Sequence, residues 1–110
     1  MAERIDAVSF EERVLKADKP VLVDFYSDTC IPCKRLNPQL AKLEEARAGE
    51  LDVVKVNINF DTQVAVDNGV MAAPTLVLFQ GGKEAGRTVG FKALKELEEF
   101  IDGALALGPV

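Results

Sequence analysis

The chain has 110 residues and a formal net charge of −5, with 48% hydrophobic and 28% charged residues. This length and composition predict one globular domain over residues 1–110, with a single core. The negative charge excludes a basic surface for nucleic acid or anionic lipid, and no apolar run is long enough to predict a membrane-spanning helix.

The N-terminal part of the chain predicts a short strand followed by a helix. Residues 1–6 carry acids and no apolar stretch, so they do not resemble a secretory signal, and we expect a cytoplasmic protein. Residues 5–8 could form a first strand. Ser9 and Glu12 fit a capping box with Ser9 as the N-cap, and Pro20 ends the helix that follows.

The middle of the chain places two cysteines between a strand and a helix. Residues 21–26 are almost entirely apolar, which is typical of a strand buried on both faces. Cys30 and Cys33 follow at once, and a helical pattern begins at the first cysteine. Gly49 is the expected end signal of this helix. The pair therefore lies where a buried strand leads into a helix.

The remainder predicts an alternation of strands and helices. In order, we expect a strand over residues 51–58, a short helix over 60–66, a strand over 75–79, a hairpin at Gly81–Gly82, an edge strand over 84–89 and a last amphipathic helix over 91–105. This order predicts an α/β fold, a mixed central β-sheet with helices on both faces. No GxGxxG follows a strand, so a dinucleotide-binding fold is set aside.

The two cysteines have the spacing of a redox pair. Residues i and i+3 share one face of a helix, with Cα atoms about 5 Å apart, which suits a disulfide. Cys30 at the helix start lies near free N–H groups that favour its thiolate, whereas Cys33 lies one turn further in. We therefore expect Cys30 to attack and Cys33 to resolve. Pro32 has no N–H to donate to the Cys30 sulfur, which favours a reductant over an oxidant.

Other interpretations of the cysteine pair remain open. The chain has no histidine, and two thiolates alone do not complete a zinc site, so no metal is expected within one chain. A metal-bridged dimer could still use Cys30 and Cys33 from two chains. The chain could also be a binding module with idle cysteines. Glutaredoxin and disulfide-forming oxidase activities are weaker alternatives.

Two charged residues interrupt predicted buried strands. Asp24 lies within the apolar run, where burial would raise its pKa, and it could accept the proton of Cys33. Lys55 lies in the strand over residues 51–58 and is the natural charge partner of Asp24, although a solvent-facing lysine is equally consistent with the alternation there.

The chain is similar to the thioredoxin family over nearly its whole length, from about residue 9 to residue 105. The fragments that carry the resemblance are Val23-Asp24-Phe25-Tyr26, Cys30-Ile31-Pro32-Cys33-Lys34, Pro38, Val54-Lys55-Val56-Asn57-Ile58, Ala73-Pro74-Thr75, Gly81-Gly82-Lys83 and Val89-Gly90. The resemblance implies a thioredoxin-like fold and a thiol–disulfide oxidoreductase that reduces protein disulfides without a bound cofactor.

The resemblance also implies roles for individual residues. Asp24 matches the buried carboxylate that helps to deprotonate the resolving thiol, and Lys55 is its neighbour. Pro74 matches a cis proline that faces the disulfide, Ala73 would offer backbone groups to an extended substrate segment, and Gly90 would line the same groove. The implied partners are disulfide-containing proteins and an electron donor resembling thioredoxin reductase, and we expect a monomer.

The chain departs from the family pattern Trp-Cys-Gly-Pro-Cys at two positions beside the cysteines. Thr29 replaces the tryptophan, which removes a large apolar wall next to the sulfur. Ile31 replaces the glycine, and its β-branched side chain crowds the approach to Cys30 and stiffens the turn. Thr29 and Ile31 therefore distinguish this chain, and together with Pro32 they are expected substrate contacts.

Overall fold

The computed structural model describes residues 2–109, which build a five-stranded sheet between two layers of helices. The elements are β1 (Glu3–Arg4), α1 (Ala7–Phe10), a π-helical segment (Glu11–Leu15), β2 (Val21–Tyr26), α2 (Ile31–Ala46), β3 (Asp52–Asn57), α3 (Thr62–Asp67), β4 (Thr75–Gln80), β5 (Lys83–Val89) and α4 (Leu94–Leu107).

The sheet has the strand order β1-β3-β2-β4-β5. β2 lies in the centre, parallel to β3 and antiparallel to β4, while β1 pairs parallel to β3 and β5 antiparallel to β4. The expected α/β thioredoxin-like fold with a mixed sheet is therefore confirmed. The crossover through α2 brings β3 parallel to β2.

Two apolar clusters fill the spaces on the two faces of the sheet. Val21, Val23 and Phe25 of β2 pack on the side of α1 and α3. Leu22 faces the other side, where leucines of α2 and residues of α4 bury their apolar stripes. Because side chains alternate along a strand, Asp24 points to the same side as Leu22, toward α2.

The glycine hairpin forms where the sequence predicted it. Gly81 and Gly82 adopt φ angles of 61° and 79° between β4 and β5, as a two-residue hairpin turn with positive φ at both positions requires. β5 lies at one edge of the sheet, as expected. Gly49, also with positive φ, lies in the turn just after α2.

Two predictions for the N-terminal part were wrong. The first strand is Glu3–Arg4 and not residues 5–8. Ile5 still donates its N–H to the carbonyl of Lys55, but α1 begins two residues later. Ser9 is not the N-cap of the helix. Asp6 caps it instead, because its Oδ1 accepts a hydrogen bond from the Ser9 N–H at 2.9 Å.

Candidate active site

The two cysteines lie at the N-terminus of α2, which follows the carboxyl end of the central strand. They form a disulfide with Cα atoms 5.2 Å apart, in agreement with the predicted geometry. Cys30 is the N-cap, and its Sγ accepts a hydrogen bond from the Cys33 N–H at 3.1 Å. The sulfur of Cys30 therefore lies at the positive end of the α2 dipole.

The two cysteines differ in their exposure to solvent. Cys33 is buried, with 3% of its surface exposed, whereas Cys30 is partly exposed. Pro32 fills the first turn of α2 and has no N–H, so the hydrogen bond to the Cys30 sulfur comes from Cys33 itself. An incoming disulfide can therefore reach Cys30 more readily than Cys33.

Asp24 is completely buried under α2 in the centre of the sheet. Neither of its carboxylate oxygens accepts a hydrogen bond from residues 2–109. Loss of water raises the pKa of Asp24 to about 7, and the positive charge of Lys55 opposes this shift only in part. The predicted burial is confirmed, and this carboxyl can exchange a proton near neutral pH.

Lys55 pairs with Asp24 in the register of β2 and β3 and lies on the same side of the sheet. Its Nζ donates a hydrogen bond to Asn37 Oδ1 at 2.8 Å and lies 4.4 Å from the centre of the Tyr26 ring. Lys55 is half-buried, and each sequence interpretation describes part of its environment: its charge acts on Asp24, and its side chain still reaches the surface.

A small cavity of about 170 Å³ opens beside Cys33. Tyr26, Asn37 and Lys55 line it together with the resolving cysteine. Its polar walls can admit water to the surroundings of the buried thiol. Sequence reasoning missed Asn37, although its position one turn after Cys33 on α2 is a signal that could have found it.

The loop before β4 faces the disulfide. The Ala73–Pro74 peptide bond is cis, and the carbonyl oxygen of Ala73 lies 3.4 Å from the Cys30 Sγ. A disulfide sulfur carries no proton, so in this state the approach is a contact and not a hydrogen bond. The Gly90 N–H donates to the Pro74 carbonyl at 2.9 Å, and this bond joins the loop after β5 to the same site.

The residues beside the two cysteines that we expect to contact substrate lie on the surface. Thr29 and Pro32 are exposed, and Ile31 exposes 70% of its surface. Met71 is 97% exposed two residues before Ala73, and sequence reasoning did not single it out. Exposed apolar side chains therefore occur both next to Cys30 in the sequence and in the loop that leads to Ala73.

No metal centre occurs in the part of the chain that the structure describes, because no three cysteines, aspartates or glutamates there are grouped to hold an ion. In this state the two sulfurs bond to each other. None of the helices within residues 2–109 is both long and apolar enough to cross a membrane.

Comparison with known proteins identifies close similarity along nearly the whole chain. The sequence model of the thioredoxin family matches residues 2–103. A thioredoxin of Rickettsia bellii is 35% identical over 93% of this chain and 97% of its own length. A thioredoxin of Streptomyces clavuligerus is 43% identical over 76% of this chain and 78% of its own. A probable thioredoxin-2 of Caenorhabditis elegans is 34% identical over 93% of this chain and 71% of its own.

Proposed function

Because this chain belongs to the thioredoxin family and is a thiol–disulfide oxidoreductase, we propose that it acts as a reductase of protein disulfides. One observation carries the proposed order of attack. The partly exposed Cys30 sulfur lies at the N-terminus of α2 and accepts the Cys33 N–H, while Cys33 itself is buried. The sulfur that can be stabilised as a thiolate is also the one that a substrate can reach.

In the first step the Cys30 thiolate attacks one sulfur of a substrate disulfide. A new S–S bond forms between Cys30 and that sulfur, the substrate S–S bond breaks, and the other substrate sulfur leaves as a thiolate. The Cys33 N–H and the α2 dipole stabilise the attacking thiolate. No bound cofactor takes part in this exchange.

In the second step Cys33 resolves the mixed disulfide. Its thiol loses a proton, its sulfur attacks the Cys30 sulfur, and the substrate leaves as a second thiolate that water protonates. Asp24 is the proposed acceptor of the proton, because burial places its pKa near 7. Lys55, in register with Asp24, limits the cost of the negative charge that the carboxylate then carries.

The substrate segment binds in a groove that we define by Ala73, Pro74 and Gly90. The Ala73 carbonyl lies beside the Cys30 sulfur and can accept a hydrogen bond from an extended substrate backbone. Thr29, Ile31 and Pro32, all exposed, form the remaining contacts around the reacting disulfide.

Each turnover leaves the Cys30–Cys33 disulfide, so two electrons must come from a donor. A reductase resembling thioredoxin reductase is the proposed donor, and electron transport from it to disulfide-containing proteins is the overall reaction. This chemistry suits the cytoplasm, where such donors keep thiols reduced. We further propose that the protein acts as a monomer, because a substrate must cover the partly exposed Cys30 directly.

The experiment that tests this proposal traps the mixed disulfide. Wild-type protein with dithiothreitol should accelerate insulin reduction, and Cys30→Ser should abolish the acceleration. Cys33→Ser keeps the attacking sulfur and removes the resolving one, so it should accumulate a covalent complex with the substrate on non-reducing gels. Cys30→Ser is the matched control, and a complex formed by that variant instead would refute the proposed order of attack.

A further inference from the structure

Two cations lie beside Gly90, on a chain whose net charge is −5. Arg35 is exposed in the second turn of α2, and Lys92 lies in the loop between β5 and α4. We call these two residues the basic flank. Among residues 2–109 neither of them forms an ion pair with a carboxylate. Their charges are therefore available to a partner.

Arg35 is held toward the groove by an aromatic side chain. It follows Ile31 by four residues, so the two share one face of α2. Its guanidinium carbon lies 4.9 Å from the centre of the Phe91 ring, and Phe91 directly follows Gly90. This stacking holds the guanidinium next to the residue that follows Gly90, and within residues 2–109 its N–H donors bond to no other group.

Lys92 is fixed at the same edge by backbone carbonyls. Its Nζ lies 2.9 Å from the Val89 carbonyl oxygen and 3.4 Å from that of Phe91, one on each side of Gly90. An ammonium has three N–H donors, so at least one remains for another acceptor. The Gly90 N–H in turn donates to the Pro74 carbonyl. The Lys92 ammonium is therefore fixed to the backbone segment that forms one side of the groove.

We propose that the basic flank selects protein disulfides whose reacting cysteine has carboxylates close to it in the substrate chain. This inference rests on the proposed function and names the substrate class. A substrate strand that contacts Ala73 and Gly90 would bring its acidic side chains within reach of Arg35 and Lys92. Complementary charge accelerates encounter and favours the matching partner.

The test compares three quenched fluorescent disulfide peptides that differ only in the residues beside the reacting cysteine, which are Glu, Ser or Lys. At low salt kcat/KM should be about tenfold higher for the Glu peptide than for the Lys peptide, with the Ser peptide between them. The ratio should fall at about 0.5 M salt, where the Debye length is only a few ångströms.

Variants assign the selectivity to these side chains. The double variant Arg35→Gln, Lys92→Gln should bring the Glu-to-Lys ratio close to one. Lys83→Gln is the matched control, because it removes an exposed lysine from the hairpin at the opposite end of the sheet, and it should keep the ratio. The charge-preserving variant Arg35→Lys, Lys92→Arg should also keep most of it.

Two results would overturn the inference. If the wild-type protein reduced all three peptides equally well, the basic flank would have no role in selection, while the proposed function would stand. If the charge-preserving variant lost the ratio as fully as the double glutamine variant, the shape of the loop and not its charge would select the substrate. Failure to reduce any of the peptides would instead refute the proposed function itself.

Discussion

Asp24 is a carboxyl group buried without a hydrogen-bond partner among residues 2–109, and its burial has a consequence for stability. In the unfolded chain it ionises near its ordinary pKa of 3.8, whereas in the native protein its pKa is about 7. Between these values the native state holds a proton that the unfolded state has lost. The free energy of unfolding must therefore fall as pH rises through this window.

We predict that Asp24→Asn removes this pH dependence. At about 1.4 kcal/mol per pH unit, ionisation of Asp24 costs the native state on the order of 4 kcal/mol by pH 7. The free energy of unfolding of the variant minus that of the wild type should therefore increase by roughly 2–4 kcal/mol from about pH 4.5 to about pH 8. Urea unfolding of the oxidised protein measures this gain without interference from cysteine titration.

The control for this prediction is Asp18→Asn, which removes the same charge from an exposed position. Its stability relative to the wild type should change little between the two pH values. If Asp24→Asn showed the same stability difference from the wild type at both pH values, the native carboxyl would ionise near 3.8 after all. Asp24 would then be a poor proton acceptor for Cys33.

The sequence predicted single residues well where their immediate neighbours along the chain decide the environment. The burial of Asp24 follows from the apolar residues around it in β2, and the different exposure of Cys30 and Cys33 follows from their positions at the start of a helix and one turn into it. Lys55 was ambiguous because its environment depends on Asn37, which α2 brings across from a distant part of the sequence. Such contacts depend on how helices pack on the sheet.

At the scale of elements, the turn of the β4–β5 hairpin follows from the local sequence, whereas its packing depends on a distant segment. The adjacent glycines predicted the turn, because its backbone requires positive φ at both positions. The sequence could not show that Gly82 packs against the π-helical segment. A Cβ on Gly82 would clash with the carbonyl oxygen of Leu15, whereas one on Gly81 would meet open space.

We predict that Gly82→Ala destabilises the protein more than Gly81→Ala. Both substitutions place a side chain at positive φ, which costs about 1–2 kcal/mol. Gly82→Ala adds the clash with Leu15, which should cost roughly 1–3 kcal/mol more. Urea unfolding of the two variants compares the costs directly, and equal destabilisation would mean that the hairpin can move away from the helix without loss.

The start of the first helix was mispredicted because two capping signals overlap. Ser9 and Glu12 match a capping box, but Asp6 lies three residues earlier and bonds to the Ser9 N–H. Asp61, from the loop before α3, accepts the Ala7 N–H at 3.1 Å and satisfies a second free donor of the same helix end. A contact between distant segments thus favours the earlier start, which the local pattern alone does not indicate.

At the scale of the whole molecule, the sheet separates two apolar clusters that share every central strand. Successive residues of β4 belong to different clusters: Val77 faces α1 and α3, and Leu78 faces α2 and α4. The sequence predicted helices on both faces from the alternation of elements, but not the order of the strands, which depends on how each crossover packs. Because the clusters share strands, we propose that the chain is one domain that unfolds in a single step.

The prediction at this scale uses Val77→Ala and Leu78→Ala as a matched pair on opposite faces. Each should lower the free energy of unfolding by roughly 2–4 kcal/mol through lost burial and a cavity. Tyr26 is the only tyrosine of the chain, and tryptophan is absent. The fluorescence of Tyr26 therefore reports one region of the site, while far-UV circular dichroism reports all elements. In both variants the urea transition followed by fluorescence should coincide with the one followed by circular dichroism, because loss of either cluster leaves β4 without support. Separate transitions in either variant would show that the two faces unfold independently and would refute the single cooperative domain.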